Sequence, residues 1–588
     1  MAKKIFLITS SVKNHRNNFR YLDYGCINLS SVIKKESILF EHPWNNKKKY
    51  YKDTVKLNKI YLKILNKLSD LLNNYHKVNK NYRYWKILIG PWLLSFIYMH
   101  YEKNLLIKIL SKYKKKINIT VTSSKIENQI PDSFFTYFAN HVYSKSWNDY
   151  LFSQIISKEK LSKNFNIIKK KDNSKIVSET KPSTFLEQLI GFFFINLSKF
   201  FVIFLGKRPL IFFRTGLSFK NKIILIFKNL GLPFFINEKK RNISPDMLLR
   251  IKLAKLSNNK NKYEKEILRL AIINLPTDFL ENFLYIGQVV SLSNKYLVPK
   301  VLFTSNGIYP SSFETRYVAE CVSKGSKLII AQHGGRYGNL KKNFALNHEI
   351  DISDYFLSWG KQINNKKIKN LGITKTFKSI NRLNKSNKDI LFLMVTKGRF
   401  SRSIDSEINI KELYNYYKNI CPNFYLSLNK NLKKNLVYRS SKRNYWNEKS
   451  HLESTCRNSR IDFDRGKTDL FDAAINSRIV VCSYLSTTFL ELLNGNIPVI
   501  LFTPFSNKGY NSLTLQSFKI LRKNKIFFNS HKDAANFLNN NWNKIDKWWF
   551  SNEVQKNRKI FLQNFSRENP NLINDIQILI KTCKKNKY

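Results

Sequence analysis

The chain has 588 residues, of which 43% are apolar and 14% aromatic, and a formal net charge of +62 from 102 Lys+Arg against 40 Asp+Glu. Its length exceeds what one hydrophobic core supports and its apolar content excludes a disordered chain, so two α/β domains are expected. The basic residues run along the whole sequence among Asn and Ile, as solvated background, and the remainder suits an anionic membrane surface or phosphate-bearing substrates.

Lys3–Ser11 has a short apolar run without a small-residue cleavage site, so it reads as a first strand and not a signal peptide. The cysteines (Cys26, Cys321, Cys421, Cys456, Cys482, Cys583) form no CxxC pair and no zinc spacing. Cys321 and Cys482 lie in apolar segments as small core residues. A reducing, cytoplasmic setting is expected. Ser37–Phe40 reads as a strand that would place His42 at its carboxyl end, although an ordinary turn histidine fits as well. A basic helix follows around 56–80. Trp85–Tyr101, interrupted by Gly90-Pro91, reads as a buried strand–turn–helix. The run Lys114–Lys116 reads as a solvated face. Residues 158–184 lack periodicity and contain Pro182, the pattern of an exposed insertion.

Phe185 to Gly206 is strongly apolar and near the length of a spanning helix. At helical spacing Glu187, Gln188, Gly191, Ser198 and Lys199 share one side, so burial or in-plane membrane contact is expected instead of spanning.

Strands are predicted near 210–213, 223–227, 300–304, 327–331 and 355–358, with a helix over Phe313–Ser323 that Gly325 stops. The stretch Lys327–Asn339 is the most informative. A β-branched run ends in Gln332, His333, Gly334 and Gly335, a buried strand delivering an imidazole into a loop where backbone approaches a ligand closely. In open parallel sheets ligands bind beyond the carboxyl ends of strands. Thr304–Gly307 ends the preceding strand, and Ser305 and Asn306 either contact ligand or form an Asx-type turn.

A polar linker, Lys361–Lys388, leads to the strand Asp389–Val395 and the loop Thr396–Arg399, which carries Lys397 and Arg399. A short helix (about 469–476) precedes the strand Arg478–Cys482. Ser483 follows, then a helix begun by Ser486, Thr487 and Thr488, ended by Gly495 and succeeded by the strand Asn496–Phe502. A hydroxyl-rich helix start leaves amides at the positive end of a dipole, which suits a diphosphate. Glu491 is placed to meet ribose hydroxyls, or else closes a capping box with Thr488. Arg439 and Arg465 are further cleft candidates. The end of the chain is Trp-rich (Trp542, Trp548, Trp549) and then Lys-rich.

Gln332–Gly335, Ser358-Trp-Gly360 and Asp472…Ser483–Thr488…Glu491…Pro498 resemble bacterial surface-carbohydrate biosynthesis transferases. Glu41-His-Pro-Trp44 and Ile89-Gly-Pro-Trp92 are similar to the same family. More distantly the order resembles CDP-glycerol glycerophosphotransferases and capsule polysaccharide transferases. Cys482-Ser-Tyr-Leu-Ser486 departs from the former in lacking an acidic residue before its Tyr-Ser-Ser-like element. The likeness spans about residues 3–505. It implies an α/β fold of two Rossmann-like domains facing across a cleft, GT-B-like. Residues 1–358 would form an acceptor domain with basic helical insertions, 359–545 a nucleotide-donor domain and 546–588 a helical basic tail.

The function implied is a glycosyltransferase moving a sugar from a nucleotide-activated donor to a surface-polysaccharide or lipid-linked acceptor. An activated polyol-phosphate transferase on the same fold is the alternative. His333 would be the base, its ordinary pKa of ~6.5 suiting neutral pH. Ser483, Ser486, Thr487, Thr488 and Glu491 would hold the donor, with Lys397 and Arg399 neutralising the leaving phosphate. Gln332, Gly334, Gly335, Ser305, Asn306 and His42 would line the acceptor side. With such cations no metal and no cofactor beyond the nucleotide sugar is required. The enzyme would sit in the cytoplasm with peripheral contact to the inner membrane. A nucleic-acid binder without catalysis is the contrasting class, and no RNA-binding signature, zinc finger or helix-turn-helix supports it.

Overall fold

The computed structural model describes residues 5–8, 19–27, 29, 41–113, 116–123, 125–157, 165–171, 193, 196, 200, 210–229, 231–233, 241–257, 261–294, 298–361, 365–375, 377, 379–381, 389–400, 408–440, 445–456, 462–464, 466, 468–505 and 509–585. Three all-parallel sheets organise them. The first contains β1 (Ile5–Ile8), β2 (Phe19–Tyr21), β3 (Ile117–Ser123) and β4 (Phe165–Lys171) in the order β2-β1-β3-β4. The second contains β5 (Leu210–Phe213), β6 (Gly231–Pro233), β7 (Val301–Thr304), β8 (Lys327–Ala331), β9 (Tyr355–Ser358) and β10 (Ile368–Asn370), ordered β10-β9-β8-β7-β5-β6. The third contains β11 (Ile390–Leu393), β12 (Leu436–Arg439), β13 (Asp462–Asp464), β14 (Ile479–Cys482), β15 (Val499–Phe502) and β16 (Phe527–Phe528), ordered β13-β12-β11-β14-β15-β16.

The central strands are buried on both faces, as the apolar runs of β5, β7, β8, β11, β14 and β15 require. The second and third sheets are Rossmann-like lobes, and each strand order reverses once. The reversals fall between β5 and β7 and between β11 and β14, and such switch points open crevices at the strands' carboxyl ends. The two lobes face one another across a cleft, the GT-B-like arrangement, and the first sheet has a core of its own in which Ile117, Ile119 and Val121 meet Leu106, Ile107 and Leu110.

The helices revise several expectations. Helix α1 spans Lys47–His76, and α2 runs unbroken over Tyr82–Leu110 with Pro91 inside it, so Trp85–Tyr101 holds no strand and no turn. Proline within a helix costs roughly 3 kcal/mol. Here burial of α2 on nearly every side offsets it. Gly90 has a packing reason: a Cβ there would lie 2.6 Å from Cε1 of His348 and 2.8 Å from the Tyr61 hydroxyl.

Residues 223–227, expected as a strand, belong to helix α3 (Phe219–Asn229). Parallel pairing of β5 with β6 demands a crossover, and α3 supplies it. Within 158–184, Phe165–Lys171 forms the exposed edge strand β4, paired in register with β3. The expected strand 37–40 lies outside the described residues, as does nearly all of 185–206. Among the described residues no helix is long and apolar enough to cross a membrane. All six cysteines are free and buried.

Further along come α4 (Ser312–Ser323), α5 (Phe344–Ile352), α6 (Leu470–Ile475), α7 (Thr487–Asn494), α8 (Asn552–Phe565) and α9 (Leu572–Lys585). Helix α8 packs Phe561 and Phe565 into the second lobe's core. The chain then returns to the first lobe past Arg567, whose amide donates to the Trp359 carbonyl at 2.9 Å and whose carbonyl accepts from Ile373 at 2.9 Å. Helix α9 is therefore no free tail. Its Leu572, Ile576 and Ile580 join Phe212, Val301, Phe303 and Ile329 in one core.

Truncating Ile576 or Ile580, both 0% exposed, to Ala is expected to lower unfolding stability by about 2–5 kcal/mol through transfer and cavity terms. Urea titration would check this, and a change under about 0.5 kcal/mol would leave α9 peripheral.

Candidate active site at the interlobe cleft

His333 emerges from β8, and its loop is tied down before any ligand arrives. The Gln332 amide N–H donates to the Leu357 carbonyl at 2.8 Å. The Gln332 side chain donates to the Gly334 carbonyl at 2.8 Å and accepts from the Trp359 amide at 3.0 Å. Both ends of that side chain are thus committed to the loop itself.

The Ser305 backbone lies beside the His333 ring and favours its protonated form, and Ser305 is itself anchored by its hydroxyl, which donates to the Arg214 carbonyl at 2.6 Å. A neutral imidazole carries its hydrogen on one ring nitrogen and leaves the other basic. The ordinary imidazole value does not hold here. Burial, with a smaller contribution from Lys375, pushes His333 down to about 4. The ring is neutral throughout the physiological range.

Helix α7 presents its N-terminus from the opposite lobe. Ser486 is the N-cap and accepts from the Phe489 amide at 3.2 Å. The amides of Thr487 and Thr488, the first two of the helix, have no intrahelical partner. The Gly335 amide donates to the Thr487 hydroxyl at 2.8 Å, joining the histidine loop directly to that helix start. Nothing larger than glycine fits: a Cβ at Gly335 would stand 2.8 Å from Leu490 Cδ1, 2.9 Å from Thr487 Cα and 3.0 Å from the Ser486 carbonyl oxygen. Gly334 lies beside the same hydroxyl.

Two cavities flank this contact. One, of about 440 Å³, is lined by Thr488, Glu491, Lys375, Phe377, Phe471 and Gly216 among others. In it Glu491 pairs with Lys375 at 2.5 Å, so the capping box does not form and Ser486 caps instead. Phe377 and Phe471 stand 6.1 Å apart there. The other cavity, of about 530 Å³, has His333, Gly334, Asn306, Arg336, Lys397 and Thr487 at its wall. It is otherwise strongly aromatic: Tyr309 is 5.9 Å from the His333 ring, Phe134 5.9 Å from Tyr309 and Phe138 5.6 Å from Phe134.

Other expected site residues sit elsewhere. Ser483 is fully buried, donating to the Leu393 carbonyl at 3.0 Å and bonded to the Tyr416 hydroxyl at 2.6 Å. Arg399 is turned toward the first sheet, its backbone carbonyl against Gly25 and its side chain near Cys26. His42 accepts from the Trp44 amide at 3.1 Å and meets Glu102 at 3.5 Å, lining neither cavity. Arg439 pairs with Asp464 at the sheet edge. Arg465 lies outside the described residues. Sequence reasoning missed Lys375, which lies in a segment read as linker, and it missed Tyr309, Tyr337 and Glu349 behind His333. Among the described residues no group of three or more metal-ligating side chains occurs.

Two outcomes are expected. Gly335→Ala must separate the loop from α7, so it should reduce turnover well beyond Gly334→Ala measured alongside, where a Cβ meets nothing nearer than 3.5 Å, with little change in thermal midpoint. An equal effect of both would dismiss the contact. Secondly, burial lowers His76, His100, His141, His333 and His348 to about 4, 3, 4, 4 and 3. A lowered folded-state value means the unfolded chain binds the proton first. The stabilisation is therefore present above ~6.5 and is lost as pH falls from there toward 4, by up to about 1.4 kcal/mol per pH unit per histidine. Urea midpoints should drop steeply between pH 7 and 5; a flat response would contradict the buried neutral rings.

Distant structural likenesses exist. MurG of Acinetobacter baumannii is 10% identical, with TM-score 0.29 over 67% of this chain and 96% of that one. Anabaena HepE in complex with UDP and glucose is 10% identical, with TM-score 0.35 over 65% and 100%. A variant of the wall teichoic acid polymerase TagF is 12% identical, with TM-score 0.30 over 68% and 98%. Likeness this weak leaves the fold to the strand order itself. Among curated proteins no relative matches. A family model does match, over residues 5–580 and so across both lobes and the cleft between them, and by it the chain belongs to the LIC12162 family of transferases.

Proposed function

We propose that this transferase moves a sugar from a nucleotide-activated donor to a hydroxyl of a surface-polysaccharide or lipid-linked acceptor. The observation that carries the reading is the bond of 2.8 Å between the Gly335 amide and the Thr487 hydroxyl, which sets a neutral imidazole beside a helix N-terminus between two cavities.

The cavity at Glu491 suits the donor. Its diphosphate would lie on the Thr487 and Thr488 amides, where the helix dipole favours negative charge. Its ribose would meet Glu491, and Phe377 and Phe471 offer apolar walls for a base. Lys375, beside Glu491 on the wall of that cavity, would face the charge developing on the leaving phosphate, a part expected of Lys397 and Arg399. The aromatic cavity suits the acceptor. The acceptor hydroxyl loses its proton to the unprotonated nitrogen of His333 as its oxygen bonds the anomeric carbon. The bond from that carbon to the phosphate oxygen breaks, and its electron pair leaves with the nucleotide. Lys397 and Arg336, at the wall of this second cavity, favour an anionic group on the acceptor.

His333→Ala should lower turnover by roughly 10²–10⁴-fold while leaving nucleotide binding intact. Thermal shift with nucleoside diphosphates at a hundredfold excess over Kd should add ~2.7 kcal/mol of stability in both proteins, and less in Glu491→Ala. Undiminished turnover in His333→Ala would overturn the reading. Turnover of an activated polyol phosphate in place of a nucleotide sugar would change the transferred group.

A further inference from the structure

Glu349 is 0% exposed on α5, and the mechanism above does not use it. A carboxyl taken from water needs partners, or it stays neutral. Its Oε1 accepts from the Tyr309 hydroxyl at 2.5 Å and from the Tyr337 hydroxyl at 2.6 Å, whereas Oε2 is buried without a hydrogen-bond partner. The Tyr337 hydroxyl in turn stands 3.3 Å from Nδ1 and 3.1 Å from Nε2 of His333. Glu349, Tyr337 and His333 are thus linked in series.

A tyrosine has one hydroxyl hydrogen, so this chain has two polarities. With the carboxyl protonated and no acceptor bound, Glu349 donates to Tyr337 and Tyr337 donates to the unprotonated nitrogen of His333, a place it yields to the acceptor hydroxyl when that arrives. With the carboxyl ionised and the ring protonated, the ring N–H donates to Tyr337 and Tyr337 donates to the carboxylate. The geometry points to Glu349 as the positioning residue for His333, acting through the Tyr337 hydroxyl and able to supply the counter-charge of an imidazolium. The inference rests on His333 being the base.

Burial pushes the Glu349 carboxyl up to about 8, against the smaller opposing pull of the two tyrosine bonds. At neutral pH the carboxyl holds the proton and the ring stays neutral and oriented. Ionising Glu349 places a negative charge one hydroxyl away and raises the ring's affinity for a proton. The other titratable or charged groups facing this chain are Tyr61 of α1, Lys86 of α2 with its partner Asp351 at 2.8 Å, His348 of α5 itself, Tyr309, and Lys375 beyond β10. Burial holds Tyr61, Tyr309 and the His348 ring neutral between pH 7 and 9, so a step near 8 belongs to Glu349.

The test is NMR of the full chain with labelled histidine rings, His333 being identified by its loss in His333→Gln. In the wild type the His333 ring signals should shift with a midpoint near pH 8. The step should vanish in Glu349→Gln and in Tyr337→Phe, with the other histidines unmoved. In the transfer assay Glu349→Gln should lower kcat, by less than the roughly 10²–10⁴-fold expected for losing the base, with the donor KM unchanged. The double variant should lose no more than the worse single one, because the two residues act in series. If Glu349→Gln fails to fold, Tyr337→Phe decides, since it removes one oxygen only. The same His333 titration in wild type and variants, or additive losses in the double variant, would overturn this inference alone. Full turnover in His333→Ala would instead remove the reading beneath it.

Discussion

The contact on which the rest of this molecule depends is one hydrogen bond between lobes, from the Gly335 amide to the Thr487 hydroxyl. It brings the carboxyl end of β8 to the amino end of α7. Each side arrives there for its own reason, since a parallel strand releases its chain into a crevice and a helix start offers unpaired amides. Glycine is needed because Leu490 and the Ser486 carbonyl leave no room for a side chain. Two cavities result, one on either side of one short seam.

Around this seam, burial sets the electrostatics more than any ion pair does. His333 is held neutral and Glu349 protonated because both are removed from water, although the whole chain is strongly basic. Charge is admitted at the cavity walls, where Lys375, Lys397 and Arg336 stand. This division suits a site that binds anions at its rim and keeps its proton acceptor uncharged. The return of α9 to the first lobe, beside the crossing at Trp359, gives the two lobes a double connection at one edge.

The sequence reveals the parts whose physics is local. Buried parallel strands are continuous apolar runs, so β7, β8, β14 and β15 are visible in it, and with them the junctions that carry His333 and Thr487. The short or polar strands are not: β4 is lysine-rich, β13 is Asp462-Phe-Asp464, and β12 alternates buried with partly buried residues. Residues 223–227 read as a strand yet form a helix, because a brief apolar run fits a half-buried helix as well as a strand. Gly90-Pro91 suggests a turn, but tertiary burial overrides it. Lys375, Tyr337 and Glu349 gain their positions from contacts between distant segments. Glu349 in particular lies in an apolar helix, where nothing local distinguishes it from a surface carboxylate.

A crystal structure of the protein soaked with a nucleoside diphosphate would test the central claim most directly. The account predicts phosphate oxygens ~3 Å from the amides of Thr487 and Thr488, ribose hydroxyls on Glu491, and the terminal phosphate facing His333. A nucleotide bound in the aromatic cavity, or away from α7 altogether, would contradict it.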